Sequence, residues 1–128
     1  MIKSVTIALS LLVLASCVSA PVKDSSIIEI KPEGKHEECS TVKSSQKILY
    51  SFYASDSVTF NIHDTAGVKV FDRGAVNFDD GTFQPAYEDV YCLTWVNPQK
   101  MSVSVDFRYE IWPIIRKPLS RPPIGMEP

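Results

Sequence analysis

Few side chains in this 128-residue sequence have types suited to chemistry: three cysteines (Cys17, Cys39, Cys92) and two histidines (His36, His63). A thiol can be acylated, paired or metal-bound, and an imidazole can ligate a metal or carry a proton. His36 lies in "GKHEEC" and His63 in "FNIHD", each followed by a carboxylate, Glu37 or Asp64. Imidazole with carboxylate suits Cu²⁺ or Zn²⁺, so both histidines are metal candidates if the first strand pairs near the third. The simpler reading is a solvated loop histidine at 36 and a hydrogen-bonded strand-end histidine at 63. Cys39 and Cys92 are far apart, and neither has a partner at ligand spacing, so no CxxC-type metal or redox site is expected. Asp79 and Asp80 before Gly81 read as a turn, with a loose calcium contact as the alternative. No Ser-His-Asp spacing, Gly-rich phosphate loop, HExxH or paired-carboxylate arrangement stands out. The expectation is a non-catalytic chain without a cofactor.

Cys17 has a different context. Lys3 is a minimal positive start, and residues 5–15 are apolar apart from Thr6 and Ser10. That run falls short of the roughly 20 apolar residues needed to span a bilayer and reads as a secretory signal. Two cuts compete. Val18-Ser19-Ala20 suits a general signal peptidase but leaves Pro21 first, and proline's fixed φ and missing N–H are poorly accepted there. Leu14-Ala15-Ser16-Cys17 resembles the bacterial lipobox, whose cysteine is acylated. Val18 after it, rather than Asp, resembles outer-membrane sorting. The odd cysteine count fits: with Cys17 in lipid, Cys39 and Cys92 remain for an oxidising compartment to pair. Such a bridge stabilises by about 4 kcal/mol in the chain-entropy model. A net charge of −2 and no dense basic cluster argue against nucleic acid as a partner.

The elements that would position these residues are strands. "IIEIK" (27–31) is stopped by Pro32 and Gly34. "QKILYSFYAS" (46–55) and "SVTFNIHD" (57–64) meet at what reads as a tight polar turn, Ser55-Asp56-Ser57. "VKVFD" (68–72), a short run after "DDG", "EDVYCLTWVN" (88–97) and "MSVSVDFRYEI" (101–111) follow. Val103, Val105, Phe107 and Tyr109 alternate with polar residues, the period-two pattern of a half-buried antiparallel strand. No sustained helical stripe follows the leader, and the fold class expected is all-β, a small antiparallel β-sandwich with one disulfide. The plan is a signal over 1–16, a tether over 17–26, the sandwich over 27–115 and a proline-rich flexible tail over 116–128. "KILYSFY" and "VYCLTWV" are apolar on both faces, more than two layers bury. Either "IWPII" (111–115) or the early strand covers the surplus, or an aromatic patch with Tyr53, Trp95 and Trp112 binds a partner.

From Cys39 to Glu110 the order of units resembles the GOLD (Golgi-dynamics) domain, in its bacterial exported form. The units are "EECSTV", "ILYSFYAS", "FNIHDTAGVKVF", "GTF", "YCLTWVN" and "VSVDFRYEI". The resemblance implies a β-sandwich binding module, a Cys39–Cys92 disulfide and a hairpin turn using the positive φ of Gly67. It implies no catalytic residue. The transmembrane helix and coiled coil of the family's cargo receptors do not follow "VSVDFRYEI" here. The expectation is therefore an envelope lipoprotein held by acyl chains on Cys17, facing the periplasm from the outer membrane, with an envelope protein as possible partner. The alternative is a soluble periplasmic or secreted metal-binding protein using His36 and His63.

Overall fold

A computed structural model describes residues 22–114. It has six strands, β1 (Val22–Ile30), β2 (Lys35–Val42), β3 (Gln46–His63), β4 (Lys69–Phe83), β5 (Asp89–Val96) and β6 (Val103–Pro113). All pairings are antiparallel. The order is β1-β6-β3-β5-β2, with β4 on the far side of β3. The first half of β3, Gln46 to Ala54, pairs with β6, and Thr59 to His63 pairs with β5. The bent β3–β4 hairpin is thus shared by two arms, β1-β6-β3-β4 and β2-β5-β3-β4, of one curled sheet.

The residues read as a turn at Ser55-Asp56-Ser57 form a corner instead. Between the pairs Tyr53–Phe78 and Val58–Val76, β3 has four intervening residues and β4 has one. An excess on one strand bends it and strengthens its twist. A reversal is prevented because β4 runs past as a continuous partner. The corner is tied down by Ser104 N–H on Ser55 Oγ (2.9 Å) and Gln99 Nε2 on the Ser57 carbonyl (2.9 Å).

Asp79-Asp80-Gly81 likewise lies inside β4 and is no turn. Tyr50 Oη donates to Asp79 Oδ2 at 2.9 Å, and Arg73 Nε lies 3.6 Å from Asp79 Oδ1. A Cβ on Gly81 would stand 2.7 Å from Tyr50 Oη, so the close approach of that ring requires glycine. The turn expected at Gly67 is present: its φ is 80°, and its N–H donates to the Asp64 carbonyl at 3.0 Å. At the end of β1, Gly34 N–H closes a turn onto the Lys31 carbonyl (2.9 Å), with Glu33 at φ 62°. That left-handed position normally takes glycine.

Alternation decides the core. In β6, Val103, Val105, Phe107, Tyr109 and Ile111 are buried, as expected. They meet Tyr91, Leu93 and Trp95 of β5 and Phe52 and Phe60 of β3 in one cluster. Trp95 stacks on Phe107 with centroids 4.9 Å apart and meets the edge of Phe52 at 5.7 Å, so both arms face the same aromatic centre. Cys39 and Cys92, opposite one another on β2 and β5, form the expected disulfide.

Two expectations about the ends are corrected. Ile111 to Pro113 of "IWPII" do not fold back but prolong β6, with Trp112 opposite Lys47 and Pro113 opposite Gln46, and Ile115 lies outside the described residues. Backbone partners on β3 are available there, which a fold-back would forfeit. Residues 22–26, read as tether, are strand, because β6 is long enough to pair Val22 with Ile111. The signal, Cys17 and the tail over 116–128 lie outside the described residues.

Candidate functional site

The outer face of the first arm is organised in cross-strand rows. One row runs Phe78, Tyr53, Asp106, Ile27, and the next runs Asp80, Ser51, Arg108, Ser25. Tyr53 is 63% exposed, Phe78 61% and Ile27 71%, three large apolar side chains in a single row. Beside them is an open trough of about 400 Å³ with Leu49, Ser51, Asp80, Thr82, Arg108 and Glu110 in its walls. Ser51 lowers the floor between Arg108 and Asp80. The surface therefore offers aromatic area with both signs of charge within reach.

Trp112 lies on the same face, at the C-terminal end of β6. It is half-buried, donates Nε1–H to Glu110 Oε2 at 2.6 Å, and has Lys23 Nζ 5.9 Å from its ring centre. Trp95 is placed elsewhere. It is 1% exposed in the core, and its indole N–H has no hydrogen-bond partner among the described residues. The patch expected around Tyr53 and Trp95 is thus formed by Tyr53 with Phe78. Trp95 shares the inner face with Leu93 and Tyr91, while Cys92 and Val96 take the outer one. Phe78 was missed because it sits just ahead of "DDG", in a stretch to which no strand was assigned.

The two histidines of the second arm lie on opposite faces of the sheet. His36 opposes Trp95 on the inner side, 5.6 Å from the ring centre of Phe107, with Nε2 2.7 Å from Glu38 Oε1. It is a half-buried strand residue, not a solvated loop residue. His63 opposes Cys92 on the outer side. Its Nδ1 is 3.2 Å from both Asn61 Oδ1 and Thr94 Oγ1, and its Nε2 is 3.8 Å from Glu37 Oε1. Opposite faces follow from the strand's two-residue period, and one ion cannot take both imidazoles.

A third cluster surrounds the β3–β4 turn. The buried carboxylate of Asp64 accepts from Tyr87 Oη (2.5 Å) and from Val68 N–H (2.9 Å). These two bonds hold its pKa below the usual carboxylate range, the tyrosine contributing most. The same bond, with partial burial, pushes Tyr87 up to about 12. Asp89 accepts from Thr65, chiefly the hydroxyl, and its pKa is lowered as a result. Each acid here holds a turn in place.

No protein-family model matches this chain. No curated protein matches it significantly. Among solved structures it is similar to one described as the solution NMR structure of a de novo designed double-stranded β-helix. That match has 12% identity and a TM-score of 0.43, covering 69% of this chain and 97% of that one. Similarity at this level carries no functional argument.

Proposed function

We propose that this chain is a non-catalytic β-sandwich module of the GOLD type, lipid-anchored through Cys17, that binds a protein partner at the cell envelope. The observation that carries the reading is the exposed row Phe78–Tyr53–Asp106–Ile27, three large apolar side chains with one carboxylate among them, flanked by Arg108 and Asp80 of the next row. Exposed apolar area of this kind with a charged rim suits protein contact. The aromatic centre shared by the two arms supports a two-layer arrangement, and the disulfide implied by the GOLD resemblance is present. The acids Asp64, Asp79 and Asp89 are engaged in the fold, which favours binding over catalysis.

Anchoring at Cys17 would place four residues, 18–21, before β1. Extended chain covers at most about 3.5 Å per residue, so the module would stay close to the bilayer. Intact mass and membrane partitioning test the anchor: a diacylated or triacylated chain starting at Cys17 supports it, and a soluble unmodified chain starting near Pro21 removes it. Capture from detergent-solubilised envelopes tests the surface. A Tyr53→Ser/Phe78→Ser variant with unchanged circular dichroism is expected to lose a discrete partner that the parent retains. Equal capture by both would sink the assignment of that face.

A further inference from the structure

The geometry points to a redox-gated metal site on the outer face of the second arm: once the Cys39–Cys92 disulfide is reduced, both thiolates, His63 Nε2 and the Glu37 carboxylate together bind Zn²⁺. Cys39, Cys92 and His63 form one cross-strand row over β2, β5 and β3, and Glu37 begins the adjacent row with Thr94 and Asn61. Ligand atoms of Glu37, His63 and Cys92 all lie within 4.8 Å of one another. Cys39 Sγ, bonded to Cys92 Sγ, stands beside that group, and reduction frees it as a fourth donor. Tetrahedral zinc, with bonds of about 2.0–2.3 Å, separates its ligand atoms by roughly 3.3–3.8 Å. Binding would draw the donors of Glu37, His63 and Cys92 in from that 4.8 Å limit and swing the freed Cys39 thiolate towards them.

The imidazole is already set for the role. In the tautomer with the proton on Nδ1, that N–H donates to the Asn61 carbonyl oxygen and Nε2 keeps its lone pair on the side of Glu37 and Cys92. An outer hydrogen bond that fixes the tautomer is the usual support of a zinc-binding histidine. Two sulfurs, one nitrogen and one oxygen are a donor set zinc accepts. Lys35 Nζ stands 3.4 Å from Glu37 Oε1 and is exposed, so a dication can displace it.

With the disulfide closed, the sulfurs carry no charge and only His63 and Glu37 remain, too few for a tight site. Cys39 is exposed on an edge strand, where a reductant reaches it. A dithiol reductant supplies two electrons and two protons, giving two thiols and becoming a disulfide itself. Zn²⁺ then displaces the two thiol protons. Oxidation by a disulfide-forming partner reverses both steps and releases the ion.

The test uses the full chain in detergent with Cys17→Ser, so that only the pair responds. After phosphine reduction it is titrated with Co²⁺ and Zn²⁺. The expected result is one ion per chain, with thiolate-to-cobalt charge transfer and tetrahedral d–d bands that zinc abolishes. The oxidised chain is expected to show neither. His63→Ala should weaken binding roughly 10–100-fold, and Glu37→Gln by less. A reduced chain without these bands overturns the proposal, as does His63→Ala with parental affinity. If reduction unfolds the chain, Zn²⁺ must restore the native circular dichroism; failure to do so overturns it equally.

Discussion

Replacing both Cys39 and Cys92 by alanine isolates what the disulfide contributes to the fold. The bond closes a loop with a sequence separation of 53. In the chain-entropy model a loop of that size stabilises by about 4 kcal/mol at 25 °C. One kcal/mol moves the melting temperature of a domain this small by about 4–8 °C, so a fall of roughly 15–30 °C is expected. The assay is paired thermal and urea unfolding of the parent and the double variant, followed by circular dichroism. The urea slope should also rise, because an uncrosslinked unfolded chain exposes more surface. Hydrogen exchange is expected to quicken first in β2, an edge strand whose backbone partner is β5. A melting shift below about 5 °C with an unchanged slope would refute the entropic reasoning. It would mean that the β2–β5 ladder alone holds that edge.

Asn97 is fully buried, donates to the carbonyls of Ile30 and Met101 and accepts from Gln99 N–H. Asn97→Ala is expected to cost about 2–4 kcal/mol by urea unfolding, because two carbonyls and an N–H lose their partner. Glu33 occupies a left-handed position, so Glu33→Gly is expected to stabilise by about 0.5–1 kcal/mol, the relieved strain exceeding glycine's entropy. The bond between Asp64 and Tyr87 makes stability pH-dependent at both ends. Asp64, with its pKa lowered, stabilises above the ordinary carboxylate value, and this is lost as pH falls through the folded one. Tyr87 stabilises below the ordinary tyrosine value, and this is lost as pH rises towards about 12. Tyr87→Phe should raise the Asp64 pKa in a carboxyl NMR titration and flatten the alkaline limb of the stability curve.

Legibility followed how local each feature is. The alternation of Val103 to Tyr109 marks a strand with one wet face, because it depends on neighbouring residues alone, while the turn at Gly67 was implied by the GOLD resemblance. Ser55-Asp56-Ser57 and Asp79-Asp80-Gly81 misled because polar triplets, the second ending in glycine, mark turns when the chain is free. Here a continuous partner strand kept them extended. Trp95 misled because both faces of "VYCLTWV" are apolar, and composition does not say which face looks inward. His36 and His63 were both visible as candidates, yet their separation onto two faces required the registers of β2, β5 and β3.

By itself, then, the sequence determined the all-β class and the antiparallel half-buried strand. The reason is that a two-residue period is a short-range property. Only the tertiary structure decided that one bent hairpin serves both arms, that Trp95 lies in the core and Tyr53 outside, and that His63 sits in a row with the disulfide. Those depend on pairings between residues tens of positions apart, and a shift of one residue would turn every side chain to the other face.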